Sequence, residues 1–158
     1  MTQHVQHVVR RTITVAATQQ RAFEVFTAQF GSWWPREYQI GPAPMVDFIL
    51  EGKAGGRWYE LDQDGTQCDT GHILVFEPPH RVVLAWQLND RWQYDPDPSH
   101  ASEVEIRFVA EGPSHTRVEL EHRGFERHGA AADAVRDSMD SPDGWTAVLE
   151  IFARHLTA

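Results

Sequence analysis

Between residues 46 and 125 the chain runs through six short stretches of alternating or β-branched character, with turn residues between them. They are VDFILE, GRWYELD, CDTGHILVFE, RVVLAWQL, SEVEIRFVAE and TRVELEHRGF. Alternation with period two is the signature of a strand with one buried face. Strands joined by short turns pair antiparallel, because a parallel pair needs a long crossover. A different pattern closes the chain. Trp145, Val148, Leu149, Phe152 and Leu156 recur at helical spacing and form one apolar stripe. That stripe must be buried against the sheet. The expected class is therefore α+β, with an antiparallel sheet of six to seven strands curved round a long C-terminal helix. A curved sheet and a helix leave space between them, which is a natural ligand site.

The start of the chain adds a strand and a helix. Residues 6–16, QHVVRRTITVA, are β-branched and alternating. Thr18 is placed as an N-cap, and Ala22, Phe23, Phe26 and Phe30 share a helical face. Gly31 is expected to end that helix, with Trp33-Trp34-Pro35 in a turn or second helical piece. Residues 36–46 and 89–101 read as loops, the second polar and proline-bearing. The segment AAADAVRDSMD has high helix propensity. Ser141-Pro142 then reads as an N-cap with proline at the first helical position. With no repeat and no linker in sight, one domain over residues 1–158 is expected, with its core at about 8–156.

The pair Gly55-Gly56, beside Lys53 and Arg57, raises the question of a phosphate loop. Such a loop needs a helix after it, so that the helix N-terminus faces the anion. Here a strand follows, and no Gly-Lys-Ser or Gly-x-Gly-x-x-Gly is present. The pair is read as a tight connection. No cofactor motif appears elsewhere. The formal net charge of −9 without a basic cluster excludes nucleic acid and anionic membrane surfaces as expected partners. One cysteine, Cys68, allows no internal disulfide, and residues 1–15 hold no apolar run of signal-peptide length. A cytoplasmic protein is expected. The nine histidines include no His-x-x-x-His pair, His4 and His7 fall in the terminus, and His100 and His115 fall in or beside loops. No metal site is expected.

Several pieces together resemble the START-like (SRPBCC) superfamily. They are Gly55-Gly56-Arg57-Trp58, the hairpin from Glu77-Pro78-Pro79 to Trp86, the strand end His122-x-Gly124-Phe125, and Gly144-Trp145 opening the last helix. Within it, the chain is similar to the branch named for homologues of the activator of the ninety-kilodalton heat-shock-protein ATPase, from about residue 8 to residue 156. The resemblance implies the helix-grip fold, with a cavity between sheet and helix. This sequence departs from the pattern in the long loop 89–101 and the extended connection 126–143, both expected near the cavity mouth. A separate N-terminal domain like that of the eukaryotic co-chaperones is not expected.

Alternation assigns faces. Val118, Leu120 and His122 share one side of the last strand, while Arg117, Glu119, Glu121 and Arg123 share the other. Val104, Ile106 and Phe108 face away from Glu103, Glu105 and Arg107. The charged sets read as solvated outer faces, so Glu119 and Glu121 are not a catalytic dyad. His122 stands on an apolar face, where each ring nitrogen needs a partner. Six tryptophans in 158 residues point to a bulky core or an aromatic-lined cavity. The candidate ligand-binding residues are Trp33, Trp34, Trp58, Trp86 and Phe108, then His122, Trp145, Leu149 and Phe152, with Trp92 a further aromatic in the long loop. Alternation leaves open whether Trp58 and Glu60, or Tyr59 and Leu61, look inward.

The first functional expectation is binding of a small, largely apolar molecule in a lipid-binding-like cavity. The alternative, implied by the resemblance, is cyclase, dehydratase or aromatic-compound chemistry in the same cavity. His122 with Tyr59 or Glu60 would supply acid–base groups, although no catalytic residue is assigned. A second alternative is a stress-response protein that partners a chaperone.

Overall fold

The computed structural model describes residues 8–157. His4, His7 and the first residues of the expected opening strand lie outside them. Seven strands form one antiparallel sheet: β1 (Val9–Val15), β2 (Met45–Leu50), β3 (Arg57–Asp62), β4 (Gln67–Glu77), β5 (Arg81–Trp86), β6 (Ser102–Ala110) and β7 (Thr116–Arg123). Their order across the sheet is β1-β7-β6-β5-β4-β3-β2. Every neighbour after the first pair is a chain neighbour, as short turns require. The sheet curls into a half-barrel that grips the last helix, the expected helix-grip architecture. Irregular pairing at Trp58/Tyr59 and at Ile73/Val75 falls on the strands that wall the inner face. Such bulges bend a strand and raise its twist.

The helices are α1 (Gln19–Thr27), a short α2 (Phe30–Trp33), α3 (Ala132–Asp140) and α4 (Ala147–Thr157). The Thr18 hydroxyl caps α1 by accepting from the Arg21 amide at 3.1 Å. Gly31 does not end this helix, which stops at Thr27. It lies inside α2, where a Cβ would come within 2.4 Å of the Phe48 amide nitrogen. Its function is close approach of α2 to β2. Gly55-Gly56 lie in the turn before β3 and no helix follows them. The last helix is shorter than its apolar stripe. Pro142 is at the first position of a helical turn, but Gly144 leaves helical geometry (φ −84, ψ −133) and the regular helix starts at Ala147. Ser141 donates its hydroxyl to the Ser138 carbonyl instead of capping.

The core lies between α1, α4 and the sheet. Phe26 meets Phe108 at 5.6 Å between ring centroids, Phe152 at 5.1 Å and Trp33 at 5.1 Å. The first two are edge-to-face, and such pairs add about 1 kcal/mol each beyond burial. The outer face is held by charge. Glu105 accepts from Arg81 at 2.9 Å, Arg107 at 2.8 Å and Arg123 at 2.7 Å. Glu119 pairs with Arg117, and Glu121 pairs with Arg10 and Arg123. These carboxylates are part of a surface lattice of ion pairs, as strand alternation implies. No helix among the described residues is long and apolar enough to cross a membrane.

Candidate functional site

A cavity of about 670 Å³ opens between the β2–β5 end of the sheet and the start of α4. Each wall follows from local structure. Trp34 leaves the end of α2, Phe48 points in from β2, and Trp58 and Glu60 point in from β3. Thr70 on β4 and Trp86 at the end of β5 complete the sheet side. Val148 closes the helix side. The rings form a continuous wall: Phe48 stacks on Trp58 at 5.8 Å, and Trp58 meets Trp86 at 5.7 Å. The mouth is made by the loop after β5 and the connection before α4. Arg91, Trp92 and Gln93 come from the loop after β5, and Ser138, Met139 and Asp143 come from the connection before α4.

The open question of strand β3 is answered by which of its side chains line the cavity. Trp58 and Glu60 line the cavity, while Tyr59 lies on the opposite side under the Arg57 guanidinium, 4.3 Å from its ring centroid. Tyr59 is therefore not placed for chemistry inside. Of the expected ligand-binding residues, Trp34, Trp58 and Trp86 are in the wall. Trp33, Phe108, Leu149 and Phe152 pack in the core and are not among the lining residues. His122 and Trp145 sit behind the wall, linked to it through Trp86, whose ring lies 5.5 Å from His122. Alternation identifies an inward face, but an inward side chain can fill the core as readily as line a cavity. Glu60 was legible as the partner of Trp58 on one face. Tyr38 and Ile40 are lining residues that loop composition does not disclose, and Leu88 and Met139 also line the cavity.

His122 is fully buried and both ring nitrogens are engaged. Nδ1 accepts from the Trp145 indole N–H at 3.0 Å, and an indole only donates. The proton of the neutral ring is therefore on Nε2, which donates to the Ser102 hydroxyl at 2.8 Å. The hydroxyl can then donate onward to His128 Nε2, also at 2.8 Å. Burial, and next to it His128, pushes the His122 pKa well down, in keeping with a neutral ring. In the unfolded chain a histidine titrates near 6.5. As pH falls below that value the unfolded chain takes up a proton that folded His122 refuses, so stability falls. The loss is at most about 1.4 kcal/mol per pH unit for one proton. Urea unfolding between pH 7.5 and 5 is expected to show this slope, and His122→Gln to flatten it at some cost in overall stability. An unchanged slope in the variant would remove His122 as its source.

Three carboxylates and one guanidinium face the site: Glu37, Glu60 and Asp143 against Arg91. Burial raises the Glu60 pKa, although the Ile40 and Gly41 amides donate to it at 2.7 and 3.1 Å and pull it back. Tyr38 donates its hydroxyl to the Asp143 carbonyl at 2.7 Å, tying the first loop to the last connection. Among the described residues no group of three or more metal-ligating side chains converges.

Residues 16–157 match the sequence model of the family described as Activator of Hsp90 ATPase homolog 1-like protein. The chain belongs to that family. The Activator of Hsp90 ATPase homolog 1-like family lies within the START-like superfamily, in agreement with the helix-grip sheet. No curated protein sequence matches at a significant level. Among solved structures the chain is similar to an anthrahydroquino-gama-pyrone synthase, Txn09, with 39% identity over 93% of this chain and 95% of that one, TM-score 0.66. It is also similar to the self-sacrificing resistance protein CalC from Micromonospora echinospora, with 36% identity over 94% of this chain and 93% of that one, TM-score 0.70. A protein from Nitrosomonas europaea shares the fold at 13% identity, covering 95% of this chain and 94% of that one, TM-score 0.64.

Proposed function

We propose that this family member binds a small, flat, largely apolar molecule in the cavity between the sheet and α4. The observation that carries the reading is the wall itself. Trp34, Phe48, Trp58 and Trp86 surround a volume of about 670 Å³, within the ordinary range for small-molecule sites. Rigid rings give contact area at little cost in side-chain entropy, which suits a flat ligand. Native mass spectrometry of freshly purified protein tests for a retained small molecule. Ser138 is exposed at the mouth, so Ser138→Trp should obstruct entry while leaving the core intact. Ligand uptake is expected to fall at least about tenfold, an amount equal to roughly 1.4 kcal/mol. Uptake unaffected by this block would place the ligand elsewhere.

A second reading is ring-forming chemistry on the bound molecule. It draws support from the 39% identity to a synthase and from Glu60. A carboxyl whose pKa is raised by burial, held in a cavity wall, suits proton transfer. Glu60→Gln should then abolish turnover while binding persists. Binding without turnover in the parent protein would leave the first reading alone. Association with a chaperone is a third reading that rests on the family's name, and capture of that chaperone from native lysate is its test.

A further inference from the structure

The hydrogen bonds behind the cavity wall run in one direction, and His128 is at their end. An indole only donates, so Trp145 fixes His122 as acceptor at Nδ1 and donor at Nε2. Ser102 and His122 are both fully buried. The Ser102 hydroxyl accepts from His122 at 2.8 Å and has one hydrogen to give, which goes to His128 Nε2 at 2.8 Å. His128 Nε2 is therefore bare, and the proton of its neutral ring is on Nδ1. A second proton can go only to Nε2. The ring would then present a donor to a hydroxyl that already accepts from His122. The Ser102 hydrogen would lose its acceptor in a site closed to water, which is costly. Docking of His128 on Ser102 and protonation of His128 oppose each other.

His128 stands where the two segments of the cavity mouth meet. It lies in the helical turn Phe125–Ala131 that leads into α3, and α3 carries Ser138 and Met139 of the mouth. From the other side it faces Asp95 and His100, in the loop that carries Arg91, Trp92 and Gln93. Burial pushes the His128 pKa down, Asp95 pulls it up, and His100 pushes it down again. Asp95 is already bonded to His100 at 2.8 Å. Behind Ser102, His122 is neutral. The charged neighbours of His128 and Ser102 in sequence, Arg127 and Glu103, pair with each other at 3.4 Å. Little else holds the segment. Across 125–140 only Phe125, Val135 and Met139 are buried. Its tie to β1, Arg11 to Asp140 at 2.7 Å, is open to solvent and worth little. Gly129, next to His128, takes a backbone (φ 66, ψ −126) that suits a hinge.

We propose that His128 is a pH-operated latch on the cavity mouth. Neutral, it docks the 125–140 segment on β6 through Ser102; protonated, it lets that segment go, and a bound molecule leaves faster. Control of release rests on the cavity reading proposed above, whereas opening of the segment does not. The sign follows from linkage. The docked ring holds its pKa below the ordinary 6.5, so opening takes up a proton. The latch is intact above that value. Each pH unit below it should raise the population of the open segment up to about tenfold, for one proton.

Amide hydrogen exchange of the whole protein at pH 7.5 and 5.5, corrected for the intrinsic pH dependence of exchange, reads the opening. In the parent protein α3 should open about tenfold more often at the lower pH. In H128Q the amide oxygen accepts from Ser102 at either pH, so α3 should open equally rarely at both. A rise in H128Q as large as in the parent would overturn the latch. Ring-nitrogen spectra of the parent need no variant: at pH 7.5 His128 should be neutral with its proton on Nδ1, the reverse of His122. A proton on Nε2 of His128 would also overturn the latch. Pyrene, which is flat, neutral and without a titrating group, probes the mouth. Its release into excess β-cyclodextrin, followed by fluorescence, should be about tenfold faster at pH 5.5 in the parent and unchanged by pH in H128Q. Release that ignores pH while α3 opens would overturn control of the mouth. Pyrene that binds at neither pH would count against the cavity reading, and hydrogen exchange would then decide the latch by itself.

Discussion

Gly71→Ala is expected to remove roughly 4 kcal/mol of stability or more, near the upper end of what single substitutions do. Gly71 lies in β4 directly opposite Trp58 of β3. The Trp58 indole passes over it to donate to the Ala85 carbonyl on the far neighbour β5. A Cβ at position 71 would stand 1.8 Å from that carbonyl oxygen and 2.8 Å from the Trp58 Nε1. The carbonyl is backbone and the indole is fully buried, so neither can yield cheaply. The strands must separate or the indole must leave, and leaving orphans a buried donor. Because Trp58 is a cavity wall, the substitution should damage ligand uptake as well as stability. Urea unfolding measures the first effect and native mass spectrometry for a retained small molecule the second. A loss below about 1 kcal/mol would mean that the sheet relaxes around the methyl group.

The second large effect is on the outer face. Glu105 has a side chain only 8% exposed and accepts from three guanidinium groups. Burial alone would push its pKa up. The hydrogen bonds from Arg107, Arg123 and Arg81 outweigh that and hold it at about 2, against 4.5 in an unfolded chain. A carboxyl depressed in this way adds stability that is fully present above pH 4.5. That stability is lost as pH falls from 4.5 to about 2, where the folded group also protonates. A shift of this size corresponds to about 3 kcal/mol. Glu105→Gln removes the charge and leaves three guanidinium groups facing one another. It is expected to cost about 3 kcal/mol at pH 7 and to flatten the acid limb of the stability profile in that window. Urea midpoints at pH 7, 4.5 and 3 decide the matter. An acid limb as steep as that of the parent protein would assign it to other carboxylates.

Much of this architecture can be read from alternation and helical spacing. Val118, Leu120 and His122 share a buried face as their spacing requires, and Arg117, Glu119, Glu121 and Arg123 form ion pairs on the other. The stripe from Trp145 to Leu156 is buried against the core. The site is less legible, for three physical reasons. Period two separates inside from outside but does not separate a filled interior from a lined one, so Trp86 and Phe108 read alike. Hydrogen-bond partners across strands depend on register, so nothing in the composition distinguishes Trp58, which is satisfied, from Trp86, which is not. A glycine can signal a helix end or a close approach. Gly31 and Gly144 are both governed by what they touch, the first against β2 and the second against the end of α3.

The strand order has a consequence for how this protein is made. β1 precedes the other six strands in the chain, yet among the described residues its strand partner is β7, about a hundred residues later. On the ribosome β1 must wait with its backbone unpaired until nearly the whole sheet has emerged. Its apolar residues Val9 and Val15 are exposed during that wait, a condition that favours aggregation and early capture by general chaperones. Faster translation of residues 16–115, or fusion of β1 after β7 in a permuted chain, should therefore raise the soluble yield without changing the folded structure.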